Sequence, residues 1–344
     1  MKKKNKRFAQ TIITLMLLLI GSVAANAQIR IVDEQDGKPV AGAYVFNSVG
    51  NLLCISDAEG NIKKLDGTVT ISNLSYESKT VDATNTTGVV YMRQKAYTLP
   101  EVTVGNAAYV KLSGAFRDIN RNDGKTILYR EGLMDFYIDM KSGKIKRRVR
   151  ACHQYEAQGL RKIINFNIAI LGQAQSTDLS RIKYIKRDSI SDVKGDTTFY
   201  KSSHNGHTSD NAIMYIDTHR EGLYRHIINN AKYRTKINPM LKVHTMICDW
   251  TFSSKAETWS SLVSFRSIYN YDYQPLPGKK FIASEEMRDF VVTGVLTLDK
   301  EQADKELKDK TETADFILPD CMPAIPYDVA KETQGLKKTK FWEM

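Results

Sequence analysis

The chain is poor in the residue patterns that announce chemistry. It has no Gly-x-Ser-x-Gly elbow, no glycine-rich phosphate loop and no Cys-x-x-Cys pair, so serine hydrolases, P-loop nucleotidases and dithiol or zinc-ribbon proteins find no support in it. It has only four cysteines, Cys54, Cys152, Cys248 and Cys321, and they are scattered. That is not the dense framework of a small stapled domain. Cys152 and Cys248 both fall in strand-like runs and form the first candidate bridge, with buried free thiols as the alternative. Helical periodicity is scarce, and no apolar run reaches the roughly 20 residues a bilayer span needs. A large charge excess is missing too. The whole chain carries 50 Lys and Arg against 39 Asp and Glu, and five of those cations, Lys2, Lys3, Lys4, Lys6 and Arg7, sit in one N-terminal cluster. What remains is too mild a balance for a nucleic-acid partner, which wants a concentrated basic face.

That cluster is the start of a clear positive signal. It is followed by an apolar core from Ile12 to Ile20 and by Ala25, Asn26 and Ala27 ahead of Gln28. Basic segment, apolar core and small-residue cleavage site in this order are the pattern of a secretory signal, residues 1–27, with no cysteine behind it to carry a lipid. The chain is therefore expected to be exported to the periplasm or outer-membrane surface of a Gram-negative bacterium, with no transmembrane segment after cleavage.

Behind the signal, residues 28–104 read as strand and turn in repetition. Ile29 to Val32 leads through Asp36, Gly37, Lys38 and Pro39 into Val40 to Phe46. A second turn at Asp57 to Asn61 is followed by strand-like runs at Val69 to Leu74, Ser78 to Val81 and Val89 to Met92. Glycine supplies the turn conformation that a side chain opposes, and proline presets the backbone entering the next strand. Short strands at this spacing predict an antiparallel β-sandwich. The residues Asp33, Asp36, Gly37, Pro39, Val40, Gly42, Ala43 and Val45, then Ser56, Asp57 and Gly60, then Leu74, Ser75 and Tyr76, and a closing Leu99-Pro100-Glu101-Val102-Thr103-Val104, resemble the carboxypeptidase-regulatory-like domain, a transthyretin-like sandwich of bacterial envelope proteins. Departures are Gln28 and Ile29 where the family has a glycine, Ile62 for an aromatic, and Ser75 for a glycine. The resemblance implies an accessory module without chemistry of its own. It also implies kinship with TonB-dependent receptors in this module alone, since the remainder is short for their barrel.

Residues 105–318 show long alternating segments, among them Ile127 to Ile138, Leu241 to Phe252 and Met287 to Leu298. A two-residue period places alternate side chains on opposite sheet faces. The fold class expected is mainly β: the sandwich followed by a larger antiparallel curved sheet or half-barrel with a few short helices, loosely similar to periplasmic lipoprotein carriers. One helix is predicted over 299–310, with Asp299 as N-cap, and another over 217–230, where Leu223, Ile227 and Ile228 share a helical face. Residues 159–174 fit helix or strand. The loop 193–211 and the Pro-containing basic tail, 319–344, read as exposed and mobile.

Candidate sites are few. Tyr269, Tyr271 and Tyr273 alternate and predict one aromatic patch suited to a glycan, small molecule or protein ligand, with packing of the sheet as the alternative. His204 and His207, with Asp210 close behind, have a spacing that a surface metal could use. His153, Glu156 and His244 include a zinc-carboxypeptidase-like spacing, but on strands and after, not before, the accessory domain. No catalytic residue and no cofactor is implied. The expectation is a non-enzymatic envelope binding or accessory protein, with a metal-dependent hydrolase or a structural spacer at the outer membrane as competing readings. Export predicts that the mature protein begins at Gln28. Intact-mass measurement on the envelope fraction checks this, and a chain still carrying Met1 there sinks it.

Overall fold

The computed structural model describes residues 29–86, 88–95, 108–160, 189–202, 213–220, 222–229, 240–309 and, with short gaps, 311–340. The protein is mainly β, as expected. Strands β1 (Ile29–Asp33), β2 (Tyr44–Asn47), β3 (Leu52–Ile55), β4 (Asn61–Ile62), β5 (Thr68–Asn73), β6 (Tyr76–Asp82) and β7 (Gly88–Met92) form two sheets, ordered β4-β1-β7 and β3-β2-β5-β6. All pairings are antiparallel except β1 with β7. Ile29, Ile31, Val45, Val69, Ile71 and Met92 fill the space between the sheets.

Local polar chemistry shapes this sandwich. Asp33 is fully buried. Its Oδ1 accepts the backbone N–H of Gln35 at 2.6 Å, and its Oδ2 accepts the Tyr76 hydroxyl at 3.0 Å and the Gln94 amide at 2.6 Å. Ser56 accepts the Ala43 N–H at 2.8 Å and donates to the Val40 carbonyl at 2.6 Å. Asp57 accepts from Asn61 N at 2.7 Å and closes the second turn. Such local caps satisfy backbone groups that a turn leaves without a partner.

The second unit is one eleven-stranded sheet ordered β11-β12-β13-β14-β15-β16-β17-β8-β9-β10-β18. Its members are β8 (Tyr109–Asn122), β9 (Lys125–Asp139), β10 (Ile145–Glu156), β11 (Ser189–Lys194), β12 (Thr197–Ser202), β13 (Ile213–Arg220), β14 (Leu223–Asn229), β15 (Leu241–Phe252), β16 (Leu262–Tyr273), β17 (Ile282–Leu298) and β18 (Lys337–Thr339). The chain enters at β8 in the middle, runs outward to β10, and returns from the far edge until β17 pairs with β8. Every neighbouring pair is antiparallel.

Because side chains alternate, the register sorts the sheet into two unlike faces. One row joins Phe116, Phe290, Phe265 and Trp250 on adjacent strands. It belongs to a buried apolar cluster that includes Leu112, Phe136 and Phe252, and Phe136 meets Phe290 edge to face at 4.8 Å. Gly114 has no side chain because the Phe290 ring occupies its place: a Cβ there would lie 2.5 Å from Cζ. The neighbouring row, on the opposite face, is Glu131, Arg117, Asp289, Arg266 and Asp249. Its charge changes sign at every step.

The charged face is covered by three elements. Helix α1 (Lys300–Lys308) has the predicted N-cap, with Asp299 and Gln302 forming a reciprocal capping box, and its Glu306 receives Lys111 at 2.5 Å and the Tyr137 hydroxyl at 2.8 Å. The tail places Met322 against Ala115 and Val291 and lets Arg117 donate to the Pro323 carbonyl at 2.8 Å. The sandwich covers the rest, with Tyr44 and Phe46 packed on Ile227, Ile247 and Ile268.

Three expectations need correction. The predicted helix over 217–230 is the β13–β14 hairpin, because Arg225 and His226 are buried by partners and hide the two-residue period. Thr197–Ser202, expected in a mobile loop, is strand β12. Described parts of the tail form regular structure: after the short helix α2 (Val329–Glu332), β18 pairs along the β10 edge. Residues 161–174 lie outside the described residues.

The sandwich is fastened at Tyr44. Its hydroxyl donates to Asp249 Oδ2 at 2.7 Å, and the Arg225 and Arg266 guanidinium groups lie 5.7 and 5.4 Å from its ring centroid. Arg225 bonds both Asp249 oxygens, at 3.0 and 2.7 Å, and donates to the Gly42 carbonyl at 3.0 Å. Arg266 is bidentate on Asp289 at 2.6 and 3.0 Å. Gly42 must be glycine: its φ is +67°, and a Cβ would meet Ile227 Cδ1 at 2.5 Å. Removing one member of a buried pair strands the other, so Asp249→Asn is expected to cost about 3–5 kcal/mol in urea unfolding, and Tyr44→Phe about 1–3 kcal/mol. Asp249→Asn within about 1 kcal/mol of wild type would contradict the assignment of this network as the fastening.

Candidate functional site

Beside the Tyr44 contact the two units do not close completely, and a cleft of about 430 Å³ runs between them. The sandwich contributes the β1–β2 turn around Lys38, Pro39, Val40 and Ala41, the second turn at Ala58 and Glu59, the β5–β6 turn at Asn73 and Ser75, and Lys95. The sheet contributes the β11–β12 turn from Lys194 to Thr197, together with Thr218, Leu223 and Arg225. The turns that cap the sandwich are therefore also the wall of the cleft.

The two sides differ in how their polar groups are occupied. Arg225, on the sheet side, is fully committed. Burial alone would lower its pKa, but the Asp249 carboxylate more than offsets this and keeps it raised. Burial raises the Tyr44 phenol well above its ordinary value, and the Asp249 charge adds to the effect. At the rim, Lys194 pairs with Glu59 across the two units and with Asp192 on its own strand at 3.4 Å. This rim pair lowers the Glu59 carboxyl through the Lys194 hydrogen bond and raises Lys194.

Lys95 stands apart. Its backbone N–H donates to the Ser75 carbonyl at 2.9 Å, but its ammonium makes no ion pair or side-chain hydrogen bond with any described residue. Burial lowers its pKa, and the Arg266 guanidinium adds to the shift. The Asn73 carbonyl oxygen is taken by Ser75 N at 3.0 Å, while its amide nitrogen and the Ser75 hydroxyl have no partner among the described residues. Such a wall of donors can hold an acceptor-rich ligand.

The sequence candidates are placed elsewhere. Tyr269, Tyr271 and Tyr273 do share a face of β16, but they are 5%, 8% and 2% exposed and belong to the apolar cluster. They pack the sheet and form no exposed patch: Tyr271 donates to Glu286 at 2.6 Å and Tyr269 lies 3.4 Å from Cys248 Sγ. Cys152 and Cys248 are not disulfide-bonded and lie on strands well apart in the sheet, β10 and β15, so the candidate bridge is not formed. His204 and His207 lie outside the described residues. His153 packs against Phe316 with tilted rings 4.6 Å apart, and His244 pairs with Asp272 at 3.0 Å. His153 and Glu156 on β10 are thus not brought together with His244 on β15. Among the described residues no group of His, Cys, Asp and Glu is arranged to hold a metal ion, and no helix is long and apolar enough to cross a membrane. The cleft has no sequence signature, because its walls come from turns far apart in the chain; the one available hint was the cluster of polar turn residues around Lys38, Glu59 and Ser75.

A further polar constellation centres on His226, which the spacing with His219 would set on a solvated helix face and which the sheet instead buries. His226, buried on β14, has Nδ1 2.5 Å from Asp217 Oδ1 and Nε2 3.1 Å from Glu257 Oε1. Glu257 holds φ +50°, a left-handed conformation uncommon for a side-chain-bearing residue. The histidine thus ties the loop after β15 to the β13–β14 hairpin.

No family model matches the chain, and no curated protein does. Among solved structures, one of lipovitellin concerned with its lipid–protein interactions is 9% identical, covering 62% of this chain and 26% of that chain, with a TM-score of 0.29. The chain thus spans about a quarter of that protein's length, and a superposition this loose transfers neither fold nor activity.

The His226 arrangement gives a pH dependence of defined sign. Burial opposes the imidazolium, but the Asp217 and Glu257 carboxylates outweigh it and raise the pKa from 6.5 to about 8. A raised folded-state pKa contributes stability that is complete below the unfolded value and lost as pH rises through the folded one. Wild type is expected to lose about 2 kcal/mol between about pH 6 and pH 9 relative to His226→Gln, measured by urea unfolding at both pH values. Parallel pH profiles of the two proteins would refute the coupling.

Proposed function

We propose that this chain is an exported, non-enzymatic binding protein of the Gram-negative envelope, and that it holds a small-molecule or glycan ligand in the cleft between its sandwich and its eleven-stranded sheet. The observation that carries this reading is the cleft itself: about 430 Å³, walled by both units, with the Lys95 ammonium, the Asn73 amide nitrogen and the Ser75 hydroxyl among its lining groups engaged by no described residue. Its volume falls in the range of small-molecule sites, which combine an apolar lining with a few placed polar groups. Val40, Ala41, Ala58 and Leu223 supply the apolar part. The signal-like N-terminus supports export, and the likeness of residues 28–104 to the carboxypeptidase-regulatory-like domain supports an envelope role in which the sandwich is an accessory wall.

Rigidity of the walls supports binding over a hinge-and-grip device. The Arg225–Asp249–Tyr44 network is fully buried directly beside the cleft, so ligand binding need not be preceded by ordering of the two units, and the affinity lost to such ordering is saved.

The test is native mass spectrometry of the chain purified gently from the envelope fraction of its own host. Wild type is expected to carry a bound small molecule that Leu223→Trp, which fills the cleft, excludes. Stripping the molecule is expected to lower Tm by a few degrees, since a ligand of the folded state stabilises it by mass action. A wild-type protein that is empty, or a ligand retained equally by Leu223→Trp, would overturn the reading.

A further inference from the structure

We propose that the ligand of this cleft is anionic: a small organic molecule whose carboxylate or phosphate is held by Lys95, with Asn73 and Ser75 as neutral donors beside it. The proposal rests on the binding reading above and names its ligand class.

The charges around the cleft are unevenly committed. Its lining holds Arg30, Lys38, Lys95, Lys194 and Arg225 against Glu59 and Asp196. Three of these cations have a carboxylate partner within the protein. Arg225 is saturated by Asp249, Lys194 by Glu59 and Asp192, and Lys38 pairs with Asp36 at 3.2 Å. Arg30 donates through Nε to the Glu59 carbonyl at 2.9 Å. Lys95 alone among them makes no ion pair or side-chain hydrogen bond with a described residue. A half-buried ammonium with no carboxylate at ion-pair distance among the described residues is a cost to the folded protein; Glu77 and Asp289 act on Lys95 only from farther off, and burial lowers its pKa despite them. An anion entering the cleft offsets it; a neutral or cationic ligand does not.

Hydrogen-bond capacity points the same way. The Lys95 ammonium and the Asn73 amide nitrogen can only donate, and the Ser75 hydroxyl can donate as well as accept. Lys95 and Ser75 are joined through their backbones, and Asn73 accepts from Ser75 N, so the three groups belong to one short stretch of wall. Ionised carboxylates and phosphates are the ligand groups rich in acceptors, and charge-assisted bonds to them are the stronger kind. The body of the molecule lies against Val40, Ala41 and Leu223.

The experiment titrates the full chain, stripped of bound material, with galacturonate as the carboxylate probe, glucose 6-phosphate as the phosphate probe and glucose as the neutral control. Binding is read by calorimetry and by the 13Cε resonance of Lys95. At least one anion is expected to bind and glucose is not. The better anion is expected to weaken at least about tenfold in Lys95→Met, corresponding to the loss of a charge-assisted bond, and to stay within about threefold in Lys95→Arg, which keeps the charge. The arm that binds decides between carboxylate and phosphate. The Lys95 resonance, followed in the unaltered protein, is expected to shift to saturation with the same affinity, and it remains decisive even where Lys95→Met does not fold. An anion that binds without moving that resonance, or with undiminished affinity in Lys95→Met, overturns the proposal, as does glucose binding as tightly as the anions. A native ligand excluded by Leu223→Trp while both anions fail to bind overturns the anionic class and leaves the binding reading standing; absence of any native ligand overturns both.

Discussion

A guanidinium or carboxylate taken out of water loses several kcal/mol of hydration unless another charge with good geometry replaces it. Arg225, Arg266, Asp249 and Asp289 are all buried under the sandwich, and each is tolerable only because its neighbour across the strands carries the opposite sign. Register is thereby fixed with little freedom, since a slip of one residue sets each charge on the wrong face. The same row gives the sandwich its seat: Tyr44 reaches the one carboxylate in the row that also holds Arg225, and Gly42 offers its carbonyl to that arginine. The orientation of the two units, and hence the width of the cleft between them, follows from this row.

Much of this architecture is legible in the sequence, and for identifiable reasons. The turns at Gly37 and Asp57 and the N-cap at Asp299 are local devices, complete within a few residues, so they can be read from the chain alone. The long strands β9, β15 and β17 keep an apolar side and show their period. The hairpin β13–β14 does not, because its Arg225 and His226 are polar residues made buriable by Asp249, Asp217 and Glu257, and apolarity is the only burial signal that a sequence displays. Tyr269, Tyr271 and Tyr273 are correctly assigned to one face by their spacing, but which face meets the core depends on partners in β15 and β17. The charge row is invisible in the same way: Arg117, Arg266 and Asp289 become neighbours only once the sheet is assembled.

Function is harder to read than fold for a reason the cleft makes plain. Asn73 and Ser75 stabilise a turn, Glu59 lies in another, and the Lys95 backbone N–H donates to the Ser75 carbonyl, each an ordinary local role. Their common place on the wall of one cleft appears only when the sheet supplies the opposite side. The apolar face of the sheet, by contrast, has its described aromatic residues packed on one another, and contributes cohesion while the charged face contributes position.

The placement of β8 beside β17 carries a consequence for how the protein is made. The strand that begins the sheet finds its second neighbour only after β9 to β16 have been synthesised, and Tyr44 is separated from Asp249 by 205 positions. Closing loops of that length is entropically slow, and contacts so distant in sequence lengthen folding. The sandwich has its own core and can form while the remainder is still emerging, but it then waits with Tyr44 and Phe46 uncovered. A chain in that condition presents an apolar surface before its seat exists, so the interval between emergence of β2 and completion of β17 is when that surface is open to non-native contacts.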